Sequence, residues 1–271
     1  MIVIAERINA TREPISLAMN ERDAAHIAEE TKLQERCGAD YIDINGGNTP
    51  DQEVENLSWA VEIVQQNTDL PLCIDSAGAE GFEAALEKIH SEDVMLNSVN
   101  GESEKMEKIL PIAAERSARL VALLMDEEGL PSGVDDRLQI AEKIVEQAEK
   151  AGVALGKLYV DPCVQPLCTN PDQANAVIEC VGRVMEDYPG IHTTGGLSNI
   201  SFGLPYRGVV NRAFITFLIG AGLDSGIVDP TSQDMMATIL AAEAICEKDE
   251  MCMNYIKADR QGLLRPDEIE A

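Results

Sequence analysis

Whether this chain closes into a ring or stays an open sheet depends on Ile191-His192-Thr193-Thr194-Gly195-Gly196-Leu197-Ser198-Asn199-Ile200-Ser201. The first four residues are a short, weak strand signal. Two glycines then release the backbone into a polar turn. Ser-Asn-Ile-Ser is poor core material. It suits a loop carrying a small uncharged head, because an Asn amide offers a donor and an acceptor together. The plain alternative is a strand-to-helix turn capped by Ser or Asn.

Seven other apolar runs alternate with helix patterns around this one. Met1–Ala5 ends in Glu6-Arg7-Ile8-Asn9, and a helix is expected from about Asp23 to Cys37. Tyr41-Ile42-Asp43-Ile44-Asn45 precedes a helix through Leu57–Val64. Leu70–Ile74 ends in Asp75-Ser76 before a helix over Glu80–His90. Val94–Leu96 ends in Asn97-Ser98 before a helix over Glu102–Ser117. Leu120–Met125 leads to a helix over about Asp135–Lys150. Leu158–Val160 ends in Asp161-Pro162, and its helix is expected from Pro171, at the first turn, to Asp187. A helix over Val209–Ala221 follows the opening stretch, and Leu223–Val228, ending in Asp229-Pro230, precedes a last helix over Ser232–Lys248. Such continuous apolar runs are the mark of parallel strands covered on both faces. Eight strand signals alternating with eight helix signals predict a single (β/α)₈ barrel over residues 1–259, with 260–271 as an acidic tail. The length of 271 residues suits one such barrel of about 250. No GxGxxG follows the first run, which weighs against a dinucleotide-binding sheet.

Composition excludes several functions. A net charge of −27 argues against a nucleic-acid backbone as partner. No apolar run reaches the roughly 18 residues of a membrane span, and no leader pattern opens the chain, so a cytoplasmic location is expected. Seven cysteines, an odd number without CxxC, do not describe a disulfide framework. The three histidines form no HExxH or similar zinc pattern.

A barrel gathers its strand C-terminal ends at one face, where active sites lie. Those ends carry Glu6, Asn9, Asp43, Asn45, Asp75, Asn97, Asp161, Asn199 and Asp229. The set is rich in acceptors and has no nucleophile paired with a base. It suits either a divalent cation bound through oxygen or a flat heterocycle presenting an N–H edge. Asp43 and Asp229 also read as simple helix caps. Asp75 does not, because it ends a wholly apolar run.

Glu6-Arg7-Ile8-Asn9, Asp43-Ile44-Asn45, Leu72-Cys73-Ile74-Asp75-Ser76, Asn97-Ser98, Tyr159-Val160-Asp161-Pro162, Gly196-Leu197-Ser198-Asn199-Ile200-Ser201, Asn211-Arg212-Ala213-Phe214 and Gly222-Leu223-Asp224 occur in an order that resembles the methyltetrahydrofolate–corrinoid protein methyltransferases. These are pterin-binding barrels of anaerobic one-carbon metabolism, similar to the folate domain of cobalamin-dependent methionine synthase. The resemblance runs from Met1 to about Cys252. It implies a homodimer that moves a methyl group between nitrogen 5 of tetrahydrofolate and the cobalt of a corrinoid. It places the pterin against Asp75, Asn97 and Asp161, with Glu6, Asp43, Gly196, Ser198 and Arg207 as further contacts. Asn199 is the implied partner of nitrogen 5. The corrinoid must come on a separate protein, since the chain has no Asp-x-His-x-x-Gly motif, and no metal held by the chain itself is implied. The loop Phe202–Arg207 departs from the family by being partly apolar. A dihydropteroate synthase-like enzyme is the rival on the same fold, but its loop after strand seven carries cations where this chain has Ser198-Asn199-Ile200. A non-catalytic folate-binding barrel is the rival of another class.

Overall fold

The computed structural model describes residues 1–47 and 50–264. Its strands are β1 (Ile2–Asn9), β2 (Tyr41–Asn45), β3 (Leu72–Asp75), β4 (Val94–Asn100), β5 (Arg119–Leu123), β6 (Leu158–Asp161), β7 (His192–Thr193) and β8 (Ser225–Val228). All neighbouring pairs are parallel, in the ladder order β7-β6-β5-β4-β3-β2-β1-β8. The helices between them are α1 (Glu13–Glu21), α2 (Ala24–Arg36), α3 (Pro50–Gln65), α4 (Ala79–Leu86), α5 (Ser103–Glu115), α6 (Val134–Ala151), α7 (Gln173–Asp187), α8 (Arg207–Ala221) and α9 (Gln233–Ile245), followed by α10 (Met253–Arg260).

The weak strand exists and is only two residues long, so side chains share the work of closure. Beyond the ladder, Ile227 N donates to Gly195 O at 3.0 Å and Gly196 bridges Ile227. Thr193 N donates to Asp224 Oδ1 at 3.0 Å, and Ser225 Oγ donates to Thr193 O at 2.9 Å. His192 Nδ1 lies 2.5 Å from Asp224 Oδ2. The sheet is thereby nearly closed into a barrel.

Two apolar layers hold it. Between strands and helices lies a shell of mainly Ile, Leu, Val and Ala in two clusters, as expected for strands buried on both faces. Inside the barrel is a separate cluster, Ile4, Tyr41, Cys73, Met95, Val121 and Tyr159, one residue from each of β1 to β6. Below it Arg119 bonds Asp93 at 2.9 Å and the Tyr159 hydroxyl at 2.7 Å, and Tyr41 donates to Asp93 at 2.9 Å. This polar girdle plugs the N-terminal end.

Several expectations need correction. Pro171 is not in the first turn of a helix: Asp172 N donates to Asn170 Oδ1 at 3.1 Å, an Asx turn that delays α7 to Gln173. The strand expected to stop at Leu96 continues to Asn100, placing Asn97 within β4. Two helices were not foreseen. The first, α1, is short, begins with Glu13-Pro14 and ends at Arg22 in the left-handed region. The second, α10, buries only Ala258 and crosses the expected boundary at 259/260. Residues 265–271 of the expected tail lie outside the described residues. Among the described residues no helix is long and apolar enough to cross a membrane.

Candidate active site

The period of two along each strand builds the mouth of the barrel. Glu6 stands two residues beyond interior Ile4, Asp43 beyond Tyr41, Asp75 beyond Cys73, Asn97 beyond Met95 and Asp161 beyond Tyr159. Each therefore points inward, one layer above the apolar plug. The ladder places Asn45, Asp75 and Asn97 side by side, and Asn45 Nδ2 donates to Asp75 Oδ2 at 3.1 Å. Asp43 is thus not the helix cap its sequence context allowed. It is 2% exposed, and its Oδ1 has no hydrogen-bond partner among the described residues. Asp229 does behave as a turn residue: Oδ1 accepts from Thr231 N at 3.0 Å, while Oδ2 pairs with Arg7 at 3.1 Å.

Burial sets the charge of this ring. It pushes Asp161 up to about 6, against the pull of the Cys163 and Gly196 N–H groups and of Arg137. Asp75 also rises to about 6, through burial and the nearby Glu53, opposed by the Asn45 amide. Asp43 is raised well above the usual carboxylate range by burial and by Asp75, with Cys73 and Asn97 pulling the other way. Glu6 reaches about 7 through burial and Asp229, opposed by Arg12 and Arg207. At neutral pH the ring holds ionised Asp75 and Asp161, which can accept from N–H donors.

A cavity of about 370 Å³ opens at this end, lined among others by Asn45, Asp75, Ser98, Asn100, Lys105 and Leu123. Glu53 also lines it. Asn100, Lys105 and Glu53 were not singled out from the sequence; each sits among ordinary helix or strand polar residues with no telling spacing. Gly46 lets α3 approach: a Cβ there would lie 2.6 Å from Glu53 O.

The opening stretch stands across the mouth from that cavity, on the β6–β8 side. A Cβ at Gly195 would touch the Asp161 carboxylate at 3.4 Å, and one at Gly196 the Asn199 amide nitrogen at 3.3 Å. Asn199 is exposed on the single turn Leu197–Ser201 that follows. Arg207 is committed to that turn. Its guanidinium donates to Ser198 O at 2.7 Å and Ser201 Oγ at 3.0 Å, and lies 5.8 Å from the Phe202 ring centre. Ser198 contributes its carbonyl to Arg207, and Gly196 its N–H to Asp161. The structure thus brings Asp43, Asp75 and Asn97 together on one side and Asp161, Gly196 and Asn199 on the other. Among the described residues no group of three or more His, Cys, Asp or Glu is placed to hold a metal ion.

A parallel barrel whose mouth pairs buried carboxylates with amides, walled by a Gly-rich turn, defines a barrel of the kind that grips a flat, donor-edged ring. The chain belongs to the pterin binding enzyme family, which it matches over residues 5–229. Methylcorrinoid:tetrahydrofolate methyltransferase from Eubacterium limosum is 39% identical to it over 269 residues, covering 98% of each chain. Methionine synthase from Mycobacterium tuberculosis is 30% identical over 241 residues, which is 84% of this chain and 20% of that much longer one. A dihydropteroate synthase from Coxiella burnetii, solved with pteroic acid, shares the fold with a TM-score of 0.70 over 92% of both chains, at 13% identity.

Proposed function

We propose that the chain transfers a methyl group between a corrinoid cobalt, carried by a separate protein, and nitrogen 5 of tetrahydrofolate. The observation that carries this reading is the end-to-end similarity to a relative bearing that name, at 39% identity. The inward ring of carboxylates and amides supports it. In the direction of the relative's name, the nitrogen 5 lone pair attacks the methyl on cobalt(III). The carbon–cobalt bond breaks, its electron pair stays on the metal as cobalt(I), and the proton of nitrogen 5 departs. In reverse, nitrogen 5 must gain a proton as the methyl leaves.

Asp75 and Asp161 then anchor the pterin by accepting from its ring N–H and amino groups, with Asn97 between Asp75 and β5. Asn199 reaches nitrogen 5 from the turn wall. An amide there supports positive charge or a proton on nitrogen without being an acid. Glu6, Asp43, Gly196 and Ser198 complete the surroundings. Arg207 acts through the turn it holds. No step uses a metal held by the chain. Anaerobic incubation with tetrahydrofolate and methylcob(III)alamin tests the reading: methyltetrahydrofolate and cob(I)alamin are expected. Folate binding without turnover would favour a non-catalytic barrel. Condensation of a pterin pyrophosphate with p-aminobenzoate would favour the synthase reading.

We also propose a homodimer across the outer faces of α8 and α9. Both helices are apolar nearly all round. Phe217 and Ile245 are 65% and 77% exposed there. In a chain of net charge −27, a face poor in acid is the one where two copies can meet without repulsion.

A further inference from the structure

We propose that Arg137 is the positioning residue for Asp161: a buried cation that holds the turn after that carboxylate and keeps it charged for its ligand. The proposal rests on the reading of Asp161 as a pterin anchor. Arg137 lies on α6 in the stripe Arg137, Ile140, Ala141, Ile144 and Ala148, which faces the core. It is fully buried, and among the described residues no carboxylate is paired with it. Its donors go to Pro162 O at 2.6 Å, Gly133 O at 3.0 Å, Cys163 O at 3.2 Å and Gln173 Oε1 at 2.5 Å. A guanidinium stays protonated in proteins, so a full positive charge is buried against neutral partners. Such a charge needs a compensating anion nearby.

Asp161 is a buried anion one peptide group away. The carbonyl of Pro162 accepts from Arg137, and the N–H of the same peptide, that of Cys163, donates to Asp161 Oδ1 at 2.8 Å. The sequence Arg137 N–H to carbonyl, then peptide N–H to carboxylate, is a chain in which each bond polarises the next. Arg137 also holds the Cys163 carbonyl, where the backbone is left-handed at φ 60°. Of the other groups acting on the pair, the Cys163 and Cys180 thiols are both pushed up to about 12 by burial and stay neutral. Asp136, on α6 itself, also acts on Arg137, but its carboxylate is partly exposed and engaged by Ser132. Gly196 offers Asp161 only its N–H. Glu6, Asp43 and Asp75 stand on other strands of the mouth.

The test is the pH dependence of tetrahydrofolate binding, followed by calorimetry on the full chain. Arg137→Gln removes the charge. Gln173→Glu keeps the arginine and its clamp but sets a competing anion against it, so it decides the matter where Arg137→Gln does not fold. Both are expected to move the acid limb of binding up by roughly one pH unit. At the acid end that is about a tenfold loss of affinity per unit. In an Asp161→Asn background neither is expected to move the limb. A limb that stays in place in Gln173→Glu, or in a folded Arg137→Gln, would overturn the proposal while leaving Asp161 an anchor. Wild-type binding and limb in Asp161→Asn alone would instead overturn the anchor reading itself.

Discussion

Asp75 is the residue whose loss should be felt first in binding. It ends β3, is held by Asn45, and lines the cavity at the barrel mouth. Removing a charge-assisted contact of this kind costs about 1.5–3 kcal/mol. Asp75→Ala is therefore expected to weaken tetrahydrofolate binding about tenfold to a hundredfold by calorimetry, and an unchanged dissociation constant would remove it from the site. The same ring gives opposite pH slopes for stability and for binding. Glu6, Asp75 and Asp161 hold their protons to about 7, 6 and 6 in the fold. Unfolded carboxyls release theirs near about 4. The folded state thus binds more protons between those values. The stability these groups lend is complete below about pH 4 and is lost as pH rises toward 7. Folate binding should run the other way, strengthening as pH rises through about 6 because the anchors must be ionised. Thermal melts and calorimetry across pH 4–8 check both slopes, and Asp75→Asn should flatten each.

At the scale of elements, the seam between β7 and β8 shows how a weak signal is completed. His192-Thr193 is too short to close a barrel by its ladder, so Asp224 supplies acceptors to Thr193 N and to His192. Asp224→Ala should lower stability by about 1.5–3 kcal/mol in urea denaturation, since it strips a charged acceptor from the buried Thr193 amide. A midpoint equal to wild type would mean that the Ile227–Gly195 and Ser225–Thr193 bonds hold the seam without it. The alternation of strands and helices was legible because both-face burial leaves long apolar runs. The same burial hid which residues face inward. A run such as Tyr41-Ile42-Asp43-Ile44 is apolar on both faces, so nothing in it shows that Asp43 points into the barrel. Asp75, Asn97 and Asp161 could be grouped because barrels gather strand ends. Glu53 and Lys105 could not, since they arrive on helices whose polar faces look solvated. Arg137 did leave a trace, as a cation falling in the apolar stripe of its own helix.

For the whole molecule, charge organises association. A chain of net charge −27 leaves α8 and α9 as the apolar, acid-poor face. Phe217→Glu is expected to convert a dimer to a monomer in sedimentation without loss of folate binding. Wild type sedimenting as a monomer would dismiss that face as an interface. The mouth is on another part of the molecule, at the strand C-terminal ends, where the proposed function brings in the corrinoid of a second protein. The fold alone does not separate methyl transfer from pteroate synthesis, because barrels at 13% identity share it. The separation has to come from the turn wall, where Asn199 stands exposed beside Gly196.

The most direct measurement is single-turnover methyl transfer from saturating methyltetrahydrofolate to cob(I)alamin, followed by the cobalt(I) spectrum in wild type and Asn199→Ala. If Asn199 supports nitrogen 5 as it gains a proton and loses the methyl, its hydrogen bond strengthens in the transition state. The wild type should then form methylcob(III)alamin. The variant should slow that step by about a hundredfold to a thousandfold, corresponding to about 2.7–4 kcal/mol, while folate affinity changes far less. A wild type that binds folate without methylating cobalt, or a variant with an unchanged chemical step, would contradict the account.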